Sequence, residues 1–407
     1  MAKINENFNA LPRSYFGSQI AQRTRDFQEA HPGVKILKLG IGNTTEPLTP
    51  ETLAGLRRGV EKLGTVETYT GYGDEQGDMR LRTGLAAWYA ALGVKLEAEE
   101  IFVSDGAKAD AANIQQIFSA DALVAVQDPV YPVYVDSNVI AGRAGAYEDG
   151  RYEKLVYLPC TEENAFIPDL PREHVDLIYL CSPNNPTGAV ATKQDLQAFV
   201  DYARREKAVI IFDAAYASYI ADENLPRSIY EIDGAETCAI EISSFSKWAG
   251  FTGVRLGWSV VPKTLIMEDA GEGVLNQLWN RRQTTMFNGA SNIVQEGGLA
   301  VLSAGGQKEC RELVEYYMHN ARVISDGLQK LGLITYGGAN APYLWLKTPN
   351  GLTSWQFFDQ LLEQTHVIGI PGSAFGPRGE GFFRLSAFGH HADIIEAVES
   401  ITANLQL

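Results

Sequence analysis

Short apolar runs alternate with helix-spaced patterns through the middle of the chain. IFVSDG (101–106) predicts a strand and ADAANIQQIFS (109–119) a helix. ALVAVQDP (122–129) and VDLIYLCSPNNPTG (175–188) predict two more strands, the second ending in a turn. KQDLQAFVDYARREK (193–207) carries Leu196, Phe199, Val200 and Ala203 on one helical face. AVIIFDAAY (208–216) and TCAIEISSFSK (237–247) are again strand-like. Near-continuous apolar strands alternating with helices predict an α/β fold, its mainly parallel sheet covered on both faces. Such sheets bind ligands beyond the carboxyl ends of their strands.

The pattern changes toward the C-terminus. ECRELVEYYMHNARVISDGLQKLG (309–332) predicts a long amphipathic helix. LITYGGANAPYLWLKT (333–348) and GEGFFRLSAF (379–388) predict strands of a second sheet. The expected division is an N-terminal arm (1–45), a large domain (46–290) and a smaller α+β domain (291–407) that shares the arm.

Composition narrows the options. Hydrophobic residues at 45% and charged residues at 21% describe an ordinary soluble globular protein. A net charge of −16 argues against nucleic acid or an anionic membrane as partner. The four cysteines, Cys160, Cys181, Cys238 and Cys310, form no CxxC and predict buried thiols. No apolar stretch approaches the ~18 residues of a membrane span, and the first residues lack a secretory apolar region. A cytoplasmic or organelle-matrix enzyme is the expectation. The six histidines show no metal-ligand spacing, and His390 and His391 are expected at the surface.

The candidate chemistry begins with isolated charges. Asp213 ends an apolar strand, where a carboxylate needs a partner. It caps a helix, joins a core ion pair or faces a buried cation such as a protonated pyridine nitrogen. Lys247 follows another strand, where desolvation would lower its pKa and make it a nucleophile toward an aldehyde. The plain alternative is a loop lysine. Asn185, in SPNNPTG, belongs either to an ordinary turn or to the mouth of a site, where it and Tyr216 could donate to a phenolate oxygen. Tyr131 offers a face for a flat ring, or packs in the core. The backbone of Ala107 and Lys108 in SDGAK, with Ser244, Ser246 and Arg255, suits a phosphate. Taken together these are the needs of one cofactor, pyridoxal 5′-phosphate.

In SPNNPTG, the Asp213/Tyr216 pair, SFSK and GVRLGW, the chain resembles the class I/II aminotransferases, fold-type I pyridoxal-phosphate enzymes. LPRSYFGSQIAQR (11–23), LGIGNTTEPL (39–48), TYTGYGDEQG (68–77), SDGAKAD (104–110), SFSKWAGFTGVRLGW (244–258), LWNRRQTTMFNGASNIVQ (278–295) and GGANAPYLWLKT (337–348) are similar to the branch acting on LL-diaminopimelate. The resemblance implies that Lys247 holds the cofactor and moves the proton. It implies that Asp213 pairs with the ring nitrogen, Asn185 and Tyr216 bind the ring oxygen, and Tyr131 stacks. Ala107, Lys108, Ser244, Ser246 and Arg255 would hold the phosphate, and Arg384 the substrate α-carboxylate. Tyr15, Gly42, Lys108 and Glu75 would read the substrate, with Tyr72, Glu75 and Asn288 arriving from the second subunit of a homodimer. The implied reaction is ping-pong exchange of an amino group between LL-diaminopimelate and 2-oxoglutarate, giving tetrahydrodipicolinate and glutamate. Trp248, SYFGSQIAQR and Asp74 depart from the usual pattern. Another aminotransferase, or a lyase on the same fold, fits the cofactor residues equally. A dinucleotide-dependent dehydrogenase does not, because no GxGxxG follows an early strand.

Overall fold

The computed structural model describes residues 1–12, 16–267 and 269–407. Seven strands form the large sheet: β1 (Ile101–Ser104), β2 (Val124–Asp128), β3 (Leu155–Pro159), β4 (Leu177–Cys181), β5 (Val209–Asp213), β6 (Ala239–Ser244) and β7 (Gly257–Val260). Their order is β1-β7-β6-β5-β4-β2-β3. The run β6-β5-β4-β2-β3 is parallel, and β7 lies antiparallel to both of its neighbours.

Side chains of the five parallel strands alternate between two cores, while Ile101, Val103, Trp258 and Val260 of β1 and β7 join a third. Val126, Tyr179, Ile211 and Ile242 pack on one face. Ala125, Ile178, Leu180, Ile210 and Phe212 pack on the other, against Leu196, Phe199 and Val200 of helix Lys193–Glu206. That helix starts where the sequence predicts, because Thr192 and Asp195 form a capping box, and it stops at Lys207 in a left-handed conformation. Covering both faces leaves only the strand ends for polar chemistry.

The C-terminal region builds a second, antiparallel sheet. LITYGGANAPYLWLKT is not one strand but two, β8 (Thr335–Gly337) and β9 (Tyr343–Lys347), turned back on each other. With β10 (Ile370–Pro371) and β11 (Phe382–Ser386) the order is β8-β9-β11-β10. The long helix, Ala304–Lys330, starts a turn earlier than its amphipathic pattern, capped by Ser303. The N-terminal arm joins this region through Leu37–Lys38, which pairs in parallel with Val367–Ile368. Beside it, Lys35 bridges Asp393 and Glu396 at 2.7 Å each. All four cysteines are buried free thiols. His391 corrects the surface expectation: it is half-buried, and its Nδ1 lies 2.7 Å from Asn320 Oδ1. His390 is exposed, 2.9 Å from Glu46. Among the described residues no helix is long and apolar enough to cross a membrane, and no His/Cys/Asp/Glu group could hold a metal.

One buried acid lies within the sheet itself. Glu241 of β6 is 1% exposed and accepts hydrogen bonds from Tyr89 Oη (2.6 Å), Ser228 Oγ (2.7 Å) and Ile229 N (2.9 Å). Burial pushes its carboxyl up to about 7, against ~4.3 in an unfolded chain. Its contribution is therefore full below the unfolded value and is lost as pH rises toward about 7, because the unfolded chain releases a proton that the fold retains. Glu241→Gln should flatten this part of the stability curve between ~pH 5 and 7 by about one proton, ~1.4 kcal/mol per pH unit. Denaturant titrations across that range check it. Parallel curves for the two proteins would mean that Glu241 is already ionised in the fold.

Candidate active site

Strand register sets the site. Ser104, Gly257 and Ser244 stand in one row across β1, β7 and β6. Cys181 and Asp213 end β4 and β5 side by side. This carboxyl edge opens into a cleft of about 370 Å³. It brings together Gly42, Ala107, Lys108, Tyr131, Asn185, Asp213, Tyr216, Ser244, Ser246, Lys247, Arg255 and Arg384, twelve of the residues singled out from the sequence.

At one end lies an anion cradle. Arg255 adopts φ +72° just before β7, and its Nη1 reaches the Thr252 carbonyl (3.1 Å) and Ser246 Oγ (3.5 Å). Ser244 Oγ in turn accepts the Ser246 N–H at 3.2 Å. Across the row, the helix Ala107–Asn113 begins with its first N–H groups unpaired by the helix, since the first intrahelical bonds are donated by Ala109 and Asp110 to Gly106. Two glycines make this possible. A Cβ on Gly106 (φ +136°) would sit 2.2 Å from Arg255 Nη2, and one on Gly257 would sit 2.8 Å from Gly106 Cα.

The middle of the cleft holds the acid and the amine. Asp213 is buried; burial raises its pKa, while Tyr134 Oη (2.6 Å) and Ala215 N–H (3.0 Å) stabilise the carboxylate. Lys247 is half-buried and donates to the Gly42 carbonyl. Desolvation, with Arg384 and Arg255 adding positive charge, lowers it to about 8. Trp248 beside it turns away from the cleft. Its Nε1 donates to the Ser244 carbonyl (3.0 Å) and its ring stacks on Phe245 and Trp88, so this departure acts on the core below the site.

At the far end Arg384, 5% exposed, donates to Asn185 Oδ1 (2.7 Å) and the Gly40 carbonyl (3.1 Å). Its Nε is buried with no hydrogen-bond partner, and among the described residues no carboxylate pairs with it. A desolvated guanidinium without a counter-ion is a site for an incoming carboxylate.

Tyr15 lies outside the described residues. Tyr72, Glu75 and Asn288 do not line this cleft. Tyr72 is 86% exposed and Asn288 is exposed, and Gly289 packs on the backbone of Asp74 and Glu75. Sequence reasoning missed Tyr134, Tyr343 and Phe375, which also line the cleft. Tyr134 carried a signal, since VYPVY sets it three residues from Tyr131; Tyr343 sits in an apolar run that reads as core, and Phe375 lies in GSAFGP, a turn segment with no chemical motif.

The chain belongs to the aminotransferase class I and II family, whose model matches residues 34–401. Members of that family depend on pyridoxal phosphate. The chain is 52% identical over 406 residues to an LL-diaminopimelate aminotransferase of Agathobacter rectalis, covering 99% of this chain and 100% of that one. The solved structure of L,L-diaminopimelate aminotransferase from Chlamydomonas reinhardtii superposes with a TM-score of 0.93 at 45% identity, covering 98% of each chain. Substrate-bound BacF of Bacillus subtilis gives 0.83 at 27% identity, covering 99% of this chain and 98% of that one.

The tuned amine yields a test that needs no cofactor. Acylation of the apoprotein at limiting reagent, followed at the Lys247 peptide by mass spectrometry, should reach half its limiting rate near pH 8. A midpoint near ~10.4, as for a free lysine, would show that the cleft does not desolvate the amine.

Proposed function

We propose that this chain binds pyridoxal 5′-phosphate in the cleft and exchanges an amino group between LL-diaminopimelate and 2-oxoglutarate, with tetrahydrodipicolinate and glutamate as the other pair. The observation that carries the reading is Lys247, lowered to about 8, in one cleft with a buried Arg384 that has no carboxylate partner. The full-length likeness to LL-diaminopimelate aminotransferases supports the choice of substrate.

The residues fit the cofactor. Ala107 and Lys108 N–H, the hydroxyls of Ser244 and Ser246 and the Arg255 guanidinium would hold its phosphate, where the two glycines clear the space. Asp213 would hold the ring nitrogen and Tyr131 would face the ring. Asn185 accepts from Arg384 through Oδ1, which leaves its amide N–H₂ for the ring oxygen beside Tyr216. When bound, pyridoxal phosphate supplies a carbonyl that condenses with amines and a pyridinium that takes up electron density from the substrate α-carbon. Lys247, neutral for much of the time near pH 8, removes the α-proton as general base. Asp213 keeps the ring nitrogen protonated, which a neutral partner cannot do. Arg384 orients the α-carboxylate through two parallel donors. Gly42 and Lys108 border the space beyond and would read the distal group with Tyr15.

Tyr72, Glu75 and Asn288 serve this reading through a second copy of the chain. The segment that carries Tyr72 also exposes Leu63, Val66 and Tyr69, apolar surface that a homodimer would cover. The arm (1–45), the cofactor domain (46–290) and the C-terminal domain (291–407) would then work as one unit in each subunit.

The test mixes the yellow, loaded protein with LL-diaminopimelate, meso-diaminopimelate, aspartate and glutamate separately and follows the visible absorbance over one turnover. Rapid change with LL-diaminopimelate and glutamate and little with aspartate is expected. Change with aspartate and none with LL-diaminopimelate would move the chain to another substrate within the family. Lys247→Ala should lose the protein-linked absorbance and turnover, and Asp213→Asn should cost several powers of ten in kcat, on the scale of lost electrostatic and acid–base terms. Arg384→Ala should raise the amino-acid KM strongly.

A further inference from the structure

We infer that Tyr343 is a positioning residue for the carboxylate clamp, acting through the face of its ring; the inference rests on the proposed reading of Arg384. Tyr343 opens β9 and is 1% exposed. β9 pairs with β11 so that Trp345 stands opposite Arg384 and Tyr343 lies two residues away on the same side. The guanidinium carbon of Arg384 lies 4.3 Å from the centroid of the Tyr343 ring and 5.0 Å from that of Phe375. Two aromatic rings therefore attend a desolvated cation that no carboxylate neutralises, the setting in which cation–π attraction is strongest.

This arrangement does two things. It offsets part of the cost of burying Arg384 without consuming the in-plane N–H donors that a carboxylate needs. It also fixes the plane of the fork, so that an incoming carboxylate meets two aligned donors. A carboxylate counter-ion in the same position would compete with the substrate; an aromatic face does not. The hydroxyl of Tyr343 lies 2.8 Å from that of Tyr216, and the two rings meet edge to face at 5.2 Å. That contact ties the orientation of Tyr343 to the tyrosine assigned to the cofactor side of the cleft.

Ring and hydroxyl separate by substitution. Tyr343→Phe keeps the face, and Tyr343→Leu removes it. The pyridoxal-phosphate-loaded proteins would be titrated with glutarate, a dicarboxylate that lacks an amino group, and binding read from the cofactor absorbance; KM and kcat for glutamate would be measured beside it. Tyr343→Leu should weaken glutarate and raise the glutamate KM about tenfold or more, with kcat changed less than about threefold, while Tyr343→Phe stays within about twofold of wild type for both. Phe375→Leu, the other face, should act in the same direction as Tyr343→Leu. Arg384→Ala separates the two levels of the argument. If it leaves glutarate binding intact, the reading of the clamp falls and this inference with it. If it abolishes binding while Tyr343→Leu binds like wild type, the inference alone falls. Equal losses in Tyr343→Phe and Tyr343→Leu would also overturn it, because the hydroxyl and not the ring would then be responsible. Retained visible absorbance in each variant verifies that the fold and cofactor site persist.

Discussion

Three charged side chains, Asp213, Lys247 and Arg384, share one cleft without neutralising one another through an ion pair. Each is held at a cost, and each relieves it only in part. Asp213 takes two neutral donors, Lys247 and Arg384 take backbone carbonyls of Gly42 and Gly40, and Arg384 adds aromatic faces. Direct pairing would stabilise the empty protein and silence the site. The rest of the structure keeps these charges apart yet close. A sheet buried on both faces ends in Asp213 and roots the loop that bears Lys247, and a separate antiparallel sheet carries Arg384.

Much of this was legible in the sequence because its signals are local. A buried strand is a continuous apolar run, and although a lone charge at its end has ordinary structural readings, several such charges at neighbouring strand ends together point to one site. Asp213 after AVIIF and Lys247 after TCAIEISSFS are of this kind. The cradle at SDGAK was legible for another reason. A strand that turns through glycine into a helix leaves N–H groups unpaired, whatever the remainder of the fold does.

What escaped depends on distance in the chain. Arg384 reads as a clamp only by resemblance; that it has no counter-ion follows from packing between Tyr343 and Phe375, neither a sequence neighbour. Tyr343 itself begins a strand of apolar residues, and nothing in YLWLK distinguishes a ring in the core from a ring against a guanidinium. The hairpin within LITYGGANAPYLWLKT carried its own signal, GGANAP between two apolar runs, which marks a turn rather than a continuous strand. Strand β7 is short and buried, and periodicity does not report the direction in which a strand runs.

That direction has a consequence for the site. Because β7 runs against its neighbours, the chain leaves β6 at Ser244 and re-enters the sheet at Gly257, directly opposite. The intervening loop, closed by the Phe245 N–H to Leu256 carbonyl bond (3.1 Å), starts and ends at the same edge of the sheet. Lys247 and Arg255 are therefore borne by one closed loop with both feet on adjacent strands. The Lys247 amine and the Arg255 guanidinium keep a common frame of reference, so the spacing between them is set by the large sheet and not by the second sheet that carries Arg384.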